Sequence, residues 1–111
     1  KNNRIQVFDQ DGTFIAAWTQ FGQPSSVFVG RDDTIYVGAS FPDSSQKKGE
    51  SRGIVVGNGI SGALTAFIPD PAELDNVIRG TSASGIAADR DGSVFAADVG
   101  AHNLRKYVKV R

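Results

Sequence analysis

The sequence predicts an all-β protein built from a repeated unit of four antiparallel strands. Three observations predict it: short runs of β-forming residues fill the chain, glycine-containing turns separate them, and two of these patterns recur at a nearly fixed spacing. No long stretch keeps its apolar residues at the three-and-four spacing of a helix. Thirteen glycines and only four prolines are consistent with many tight turns.

Nine short strands follow one another in the predicted order. Each mixes β-branched or aromatic residues with polar ones and is bounded by turn-forming residues. Three of the turns are Asp11-Gly12, Asp32-Asp33 and Asp91-Gly92, and a fourth is the glycine-rich segment 57–62. The predicted strands are residues 4–8, 13–18, 26–29, 34–37, 53–56, 63–68, 85–88, 93–97 and 104–108.

Two sequence patterns repeat. Residues 26–37 align with residues 85–96, at an offset of 59 (86 minus 27). A second pattern aligns Ile5, Ile54 and Leu104, at spacings of 49 and 50 residues. We label the four strands of the repeated unit a, b, c and d in chain order. The first pattern supplies strands a and b and the second supplies strands c and d, so the order of strands along the chain is c-d, a-b-c-d, a-b-c. A period near 50 with four short strands favours β-propeller blades. A β-sandwich is the alternative, although it does not require a four-strand repeat.

This arrangement corresponds to a partial β-propeller of about two and a quarter blades. Residues 1–22 supply strands c and d of one blade, residues 23–69 a complete blade, and residues 82–111 strands a, b and c of the next. Both ends of such an array leave an apolar face uncovered. We therefore expect association with a second copy or with another chain that completes the ring. The larger aromatic side chains are expected to pack between blades: Phe14, Trp18, Phe28, Phe67 and Phe95.

Composition excludes several classes of function. The 12 Lys and Arg residues balance the 12 Asp and Glu residues, whereas a nucleic-acid or anionic-membrane binder needs a basic excess. The absence of cysteine excludes disulfides, cysteine–zinc sites and thiol catalysis. No apolar run reaches the length of a membrane span. Because the sequence begins at Lys1 and ends within a predicted strand, we expect a fragment or a processed chain.

Several segments carry a resemblance to a known family. Residues 3–12 (NRIQVFDQDG), 21–25 (FGQPS) and 33–37 (DTIYV) resemble the NHL repeat. Segments 52–57, 62–71 and 80–83 resemble the C-terminal half of bacterial six-bladed NHL propellers, a group similar to peptidyl-hydroxyglycine amidating lyases. The resemblance covers nearly the whole chain and implies the fold. It also implies a secreted or periplasmic location. Independently of the resemblance, we expect the loops to bind a small molecule, a peptide or a partner protein.

The predicted site lies where long loops meet. Strand direction alternates, so the a-b and c-d turns share one face of the ring and the b-c and d-a connections share the other. Turns on the first face are short, whereas residues 40–52, 69–81 and 98–103 form long connections on the second. Loops on a rigid scaffold commonly carry function. The candidate ligand-binding residues on this second face are Arg52, Arg79, Ser84, Asp98 and His102.

Each candidate has two interpretations. His102 beside Asp98 could help to ligate a metal or act as an acid and base, or it could be a solvated loop histidine. Arg52 and Arg79 could each bind a carboxylate through two hydrogen bonds, or be solvated charges. Ser84 flanks the start of a strand a and could face the channel. The related propellers carry an acidic residue just before the glycine that starts the last strand a, and Ser84 occupies that position here.

We assign no catalytic residue and no cofactor to this chain alone. Asp11, Asp32 and Asp91 are interpreted as turn residues rather than as metal ligands. The resemblance to amidating lyases implies zinc held by several histidines from different blades, and this chain has one histidine. A divalent metal is therefore possible only in the full ring. A scaffold that presents loops to a ligand or protein is the leading hypothesis. The alternative is part of a lyase or hydrolase whose axial site other blades complete.

Overall fold

The structure, a computed structural model, describes residues 3–42, 50–69, 85–98 and 103–108. Nine strands lie within these residues and every pairing is antiparallel, which confirms the all-β prediction. The strands are β1 (Ile5–Phe8), β2 (Phe14–Trp18), β3 (Gln23–Val29), β4 (Thr34–Pro42), β5 (Glu50–Asn58), β6 (Leu64–Pro69), β7 (Gly85–Ala88), β8 (Val94–Asp98) and β9 (Asn103–Tyr107).

The strands form three sheets in chain order. The first sheet contains β1 and β2, the second β3 to β6, and the third β7 to β9, and within each sheet every strand pairs with the next one along the chain. In the part of the chain that the structure describes, no helix is long and apolar enough to cross a membrane.

The longest ladder joins β4 and β5, two strands of nine residues each. It runs without interruption from the Thr34–Asn58 pair to the Pro42–Glu50 pair. The sequence predicts a loop over residues 40–52, and this prediction is wrong at both ends of the segment, where β4 continues to Pro42 and β5 begins at Glu50. Polar side chains do not prevent pairing here, because adjacent antiparallel strands can continue to satisfy each other's backbone groups.

The hairpin turns are held by aspartate side chains. The Asp9 carboxylate oxygen Oδ1 accepts hydrogen bonds from the backbone amides of Asp11 and Thr13, at 2.9 Å each. Asp89 repeats the arrangement with the amides of Asp91 and Ser93, at 2.9 and 3.0 Å. Both carboxylates thus stabilise turn backbone, as Asx-type turns do. The turn interpretation therefore has a physical basis in Asp9 and Asp89, two residues that the sequence analysis did not single out.

The first apolar core lies between the first and second sheets. Its buried members are Trp18, Phe21, Ile35, Val37, Ala39 and Val55, and Ile5, Val7 and Ala16 pack against them. Phe21 and Val37 are fully buried, and the centres of the Phe21 and Trp18 rings lie 5.9 Å apart. Phe21 belongs to the short connection between β2 and β3, so a loop residue closes this core.

The second core lies between the second and third sheets. Its buried members are Tyr36, Ile54, Val94 and Ala96, and six partly buried residues pack against them: Phe28, Val56, Ile68, Ile86, Ala88 and Tyr107. Alternate residues of β4 therefore serve different cores, since Ile35 and Val37 face the first sheet whereas Tyr36 faces the third. The middle strands β4 and β5 of the second sheet therefore contribute buried residues to cores on both faces of the sheet.

Two of the expected inter-sheet aromatic residues are not buried between sheets. Phe14 is 53% exposed and Phe67 is 42% exposed, so the expectation is wrong for these two. Phe14 instead meets Phe8 edge to face, with ring centres 5.8 Å apart. The Phe67 ring lies against Gly53, where there is no side chain to displace it. Trp18 and Phe28 do lie at the inter-sheet cores.

Candidate ligand-binding cleft

A cleft of about 1080 Å³ opens between the second and third sheets. Its rim is formed by the β3–β4 turn on one side and the β7–β8 turn on the other, and both belong to the short-turn end of the sheets. This volume is slightly larger than the range of about 300–1,000 Å³ that is usual for small-molecule sites. The cleft therefore has room for a small organic ligand.

Two facing rows of side chains form its apolar walls. Phe28, Tyr36, Val56 and Ala66 are register neighbours across β3, β4, β5 and β6. Ala88, Val94 and Tyr107 are register neighbours across β7, β8 and β9. All seven line the cleft. The antiparallel ladders fix the spacing within each row, so the walls are built from rigid elements rather than loops.

Tyr36 is the most buried polar side chain of the cleft wall, at 8% exposed. The centre of its ring lies 6.3 Å from the centre of the Phe28 ring. Burial raises the pKa of the Tyr36 hydroxyl above its ordinary value of 10.0, and the negative charges of Asp32 and Asp89 raise this pKa further. The hydroxyl is consequently protonated near neutral pH, and the two carboxylates lie close enough for their charges to act on it.

The β3–β4 turn fixes the position of Asp32. The Asp32 carboxylate accepts a hydrogen bond from the Thr34 amide at 3.2 Å, and the Gly30 amide donates to the Thr34 carbonyl at 2.8 Å. A Cβ atom on Gly30 would lie 3.1 Å from the Asp32 Oδ1 atom, so the absence of a side chain at Gly30 leaves that carboxylate its place. The turn thus holds a negative charge at the mouth of the cleft.

The rim carries charges of both signs. Arg31 and Arg90 line the cleft together with Asp32, Asp89 and Asp91. The carboxylates outnumber the guanidinium groups by one. The charges that raise the pKa of the Tyr36 hydroxyl are those of Asp32 and Asp89. At this end of the cleft the field is therefore negative and favours a positively charged group.

The structure locates only part of the site that the sequence predicted. Arg52 lies in β5 opposite Ser40 and is 6% exposed, so the interpretation of Arg52 as a solvated loop charge is wrong. Asp98 ends β8, where it pairs with Asn103. Arg79, Ser84 and His102 lie outside the described residues. A binding role for these residues on the long-loop face stays a prediction.

Sequence reasoning did not identify the cleft, although one signal pointed to its rim. The aligned segments 26–37 and 85–96 place residues 30–33 and 89–92 at equivalent turns. Each segment carries an arginine next to an aspartate at its turn, Arg31-Asp32 in one and Arg90-Asp91 in the other. That these turns line one cleft follows only from the packing of β7 against β3 and β4.

The described residues contain no group of three or more histidine, cysteine, aspartate or glutamate side chains arranged to hold a metal ion. No protein-family model matches the sequence, and no curated protein matches it either.

Proposed function

We propose that this chain is a portion of an NHL-type β-propeller, a scaffold whose loops present binding residues to a ligand or a partner protein. The single observation that carries the proposal is the repetition of the inter-sheet packing from one sheet pair to the next. A propeller is built from such repetition, because each blade packs one face on the preceding blade and the other on the following one.

Equivalent positions of the repeat face equivalent directions. Ile35 and Val37 of β4 face the first sheet. Their counterparts 59 residues later, Val94 and Ala96 of β8, face the second sheet. The outer strands repeat as well: the β1–β2 ladder shifts register after Val7, and the β5–β6 ladder shifts register after Val56, 49 residues later. A bulge repeated at the same place supports one structural unit used twice.

Among the described residues, no sheet covers the outer face of the third sheet, and this supports continuation of the array. Phe95 alternates with Val94 and Ala96, so it points away from the second core, as do its neighbours in register, Ala87 and Lys106. Leu104 on the same face is 69% exposed. Phe95 occupies the position of Tyr36 in the repeat, and Tyr36 is covered by the following sheet. We expect a second copy or another chain to cover Phe95 in the same way.

Sedimentation velocity over a range of micromolar concentrations tests the scaffold proposal. The wild-type chain should sediment faster than a single chain as concentration rises, and Leu104→Glu should reduce the association. Ile60→Glu is the matched control, because Ile60 is 75% exposed but lies in the β5–β6 turn, away from the sheet faces. A wild-type chain that stays monomeric and melts cooperatively contradicts the proposal.

Metal analysis distinguishes a scaffold from part of a propeller enzyme. Purified protein would be assayed for bound zinc and other divalent metals, with Asp98→Asn and His102→Gln as variants. No bound metal, with unchanged association, supports the scaffold role. Stoichiometric metal that is lost in both variants overturns it in favour of a lyase or hydrolase site completed by other blades.

A further inference from the structure

We propose that the cleft between the second and third sheets is a binding site for a small organic cation, namely a protonated amine carried on an aromatic or branched aliphatic body. This site is distinct from the long-loop face. It requires only the second and third sheets of this chain, so it does not depend on completion of a propeller.

The body of such a ligand has suitable walls. The rings of Phe28, Tyr36 and Tyr107 line the cleft together with aliphatic side chains from both sheets. Aromatic faces attract cations as well as apolar groups, because the ring quadrupole is negative above the plane. An apolar ligand with one positive charge uses both properties of these walls.

The charged end of the ligand has a defined place. Asp32 and Asp89 lie on opposite rims, one on the β3–β4 turn and one on the β7–β8 turn. Both carboxylates act on the Tyr36 hydroxyl, so an ammonium group beside this hydroxyl lies in the negative part of the cleft. The neutral hydroxyl can also accept a hydrogen bond from the ammonium group.

An anionic ligand is disfavoured at the same place. A carboxylate beside Tyr36 would be repelled by the like charges of Asp32 and Asp89, which act on the Tyr36 hydroxyl. Arg31 and Arg90 lie on the rim. Both side chains are exposed, so they can extend into solvent as long cationic side chains commonly do, and neither is among the charges that raise the pKa of the Tyr36 hydroxyl.

The test uses three probes with the same phenyl body: 2-phenylethylamine, 2-phenylethanol and phenylacetate. Isothermal titration calorimetry measures the affinity of each probe. Changes in the NMR chemical shifts of the backbone amides of β3, β4, β7 and β8 show where each probe binds. The amine should bind most tightly and phenylacetate least, with shifts centred on the two turns. Added salt should lower the affinity for the amine, because salt screens the attraction between the ammonium group and the carboxylates.

Variants separate charge from fold. Asp32→Asn keeps an oxygen acceptor for the Thr34 amide and removes the charge, so it should weaken binding of the amine by roughly two- to fivefold, the usual scale for losing one exposed charged partner. Asp11→Asn is the control, since Asp11 lies in an exposed turn of the first sheet. Failure of the amine to bind saturably, equal binding of phenylacetate, or an Asp32→Asn protein with unchanged affinity would each overturn the proposal.

Discussion

Gly62 and Gly12 offer a matched pair that tests how the first sheet is attached to the second. Both glycines sit in hairpin turns with positive φ, at 79° and 86°. A Cβ atom on Gly12 would meet nothing within 4 Å. A Cβ atom on Gly62 would lie 2.8 Å from both the Gln20 side-chain nitrogen and the Cε2 atom of Trp18. Alanine therefore tests backbone strain alone at Gly12, and strain plus packing at Gly62.

The difference between the two variants follows from these distances. A left-handed backbone conformation costs an alanine about 1 kcal/mol, and both variants incur that cost. Gly62→Ala must in addition displace Trp18, which is 9% exposed and packed on Phe21. Overpacking of this kind costs about 1–3 kcal/mol. The free energy of unfolding should accordingly fall by about 1–3 kcal/mol more for Gly62→Ala than for Gly12→Ala.

The assay is urea unfolding followed by fluorescence and by far-ultraviolet circular dichroism. Trp18 is the sole tryptophan of the sequence, so its emission reports directly on the contact with Gly62. The emission maximum should shift in Gly62→Ala and stay at its wild-type position in Gly12→Ala. Equal destabilisation of the two variants, with Trp18 emission unchanged in both, would refute the packing of the first sheet against the β5–β6 turn.

Two further predictions concern the cores. Phe21→Ala should lower the free energy of unfolding by about 3–5 kcal/mol, since it empties a fully buried site, whereas Phe14→Ala should cost far less because Phe14 is 53% exposed; urea unfolding compares the two. Because the pKa of Tyr36 is raised in the folded state, its neutral hydroxyl makes its full contribution to the free energy of unfolding below about pH 10. This contribution is lost as the pH rises through the pKa of the folded state. Thermal unfolding should therefore show a smaller alkaline decline for Tyr36→Phe than for the wild type, and identical declines would contradict the burial of this hydroxyl.

Much of the strand pattern was predictable because local chemistry determines it. Asp11-Gly12 and Asp91-Gly92 mark hairpins by their conformational preference, and β-branched runs such as Thr34 to Val37 mark strands. The length of β4 and β5 was not predictable in the same way. Their outer ends, residues 40–42 and 50–52, combine polar residues with a proline, and cross-strand pairing extends the two strands beyond what local propensity indicates.

The burial of single residues in connections was the harder problem. Phe21 follows no strand or helix periodicity, so nothing in its neighbourhood distinguishes a core residue from a loop aromatic. Arg52 was predicted to lie in the long connection over residues 40–52, although it lies within the β4–β5 ladder. The cleft joins two turns that are 59 residues apart. Sequence alignment identifies those turns as equivalent, but their distance from each other depends on how the sheets stack.

The double role of β4 restricts how this sequence can evolve. A strand with one solvated face can change at every second position with little cost, since a larger side chain there extends into water. Ile35, Tyr36, Val37 and Ala39 in β4 are all buried, with cores on both sides. Neither side of the strand offers space for drift, so changes in β4 require compensating changes in two neighbouring sheets. Variation is expected to concentrate in the turns and on the free outer faces instead.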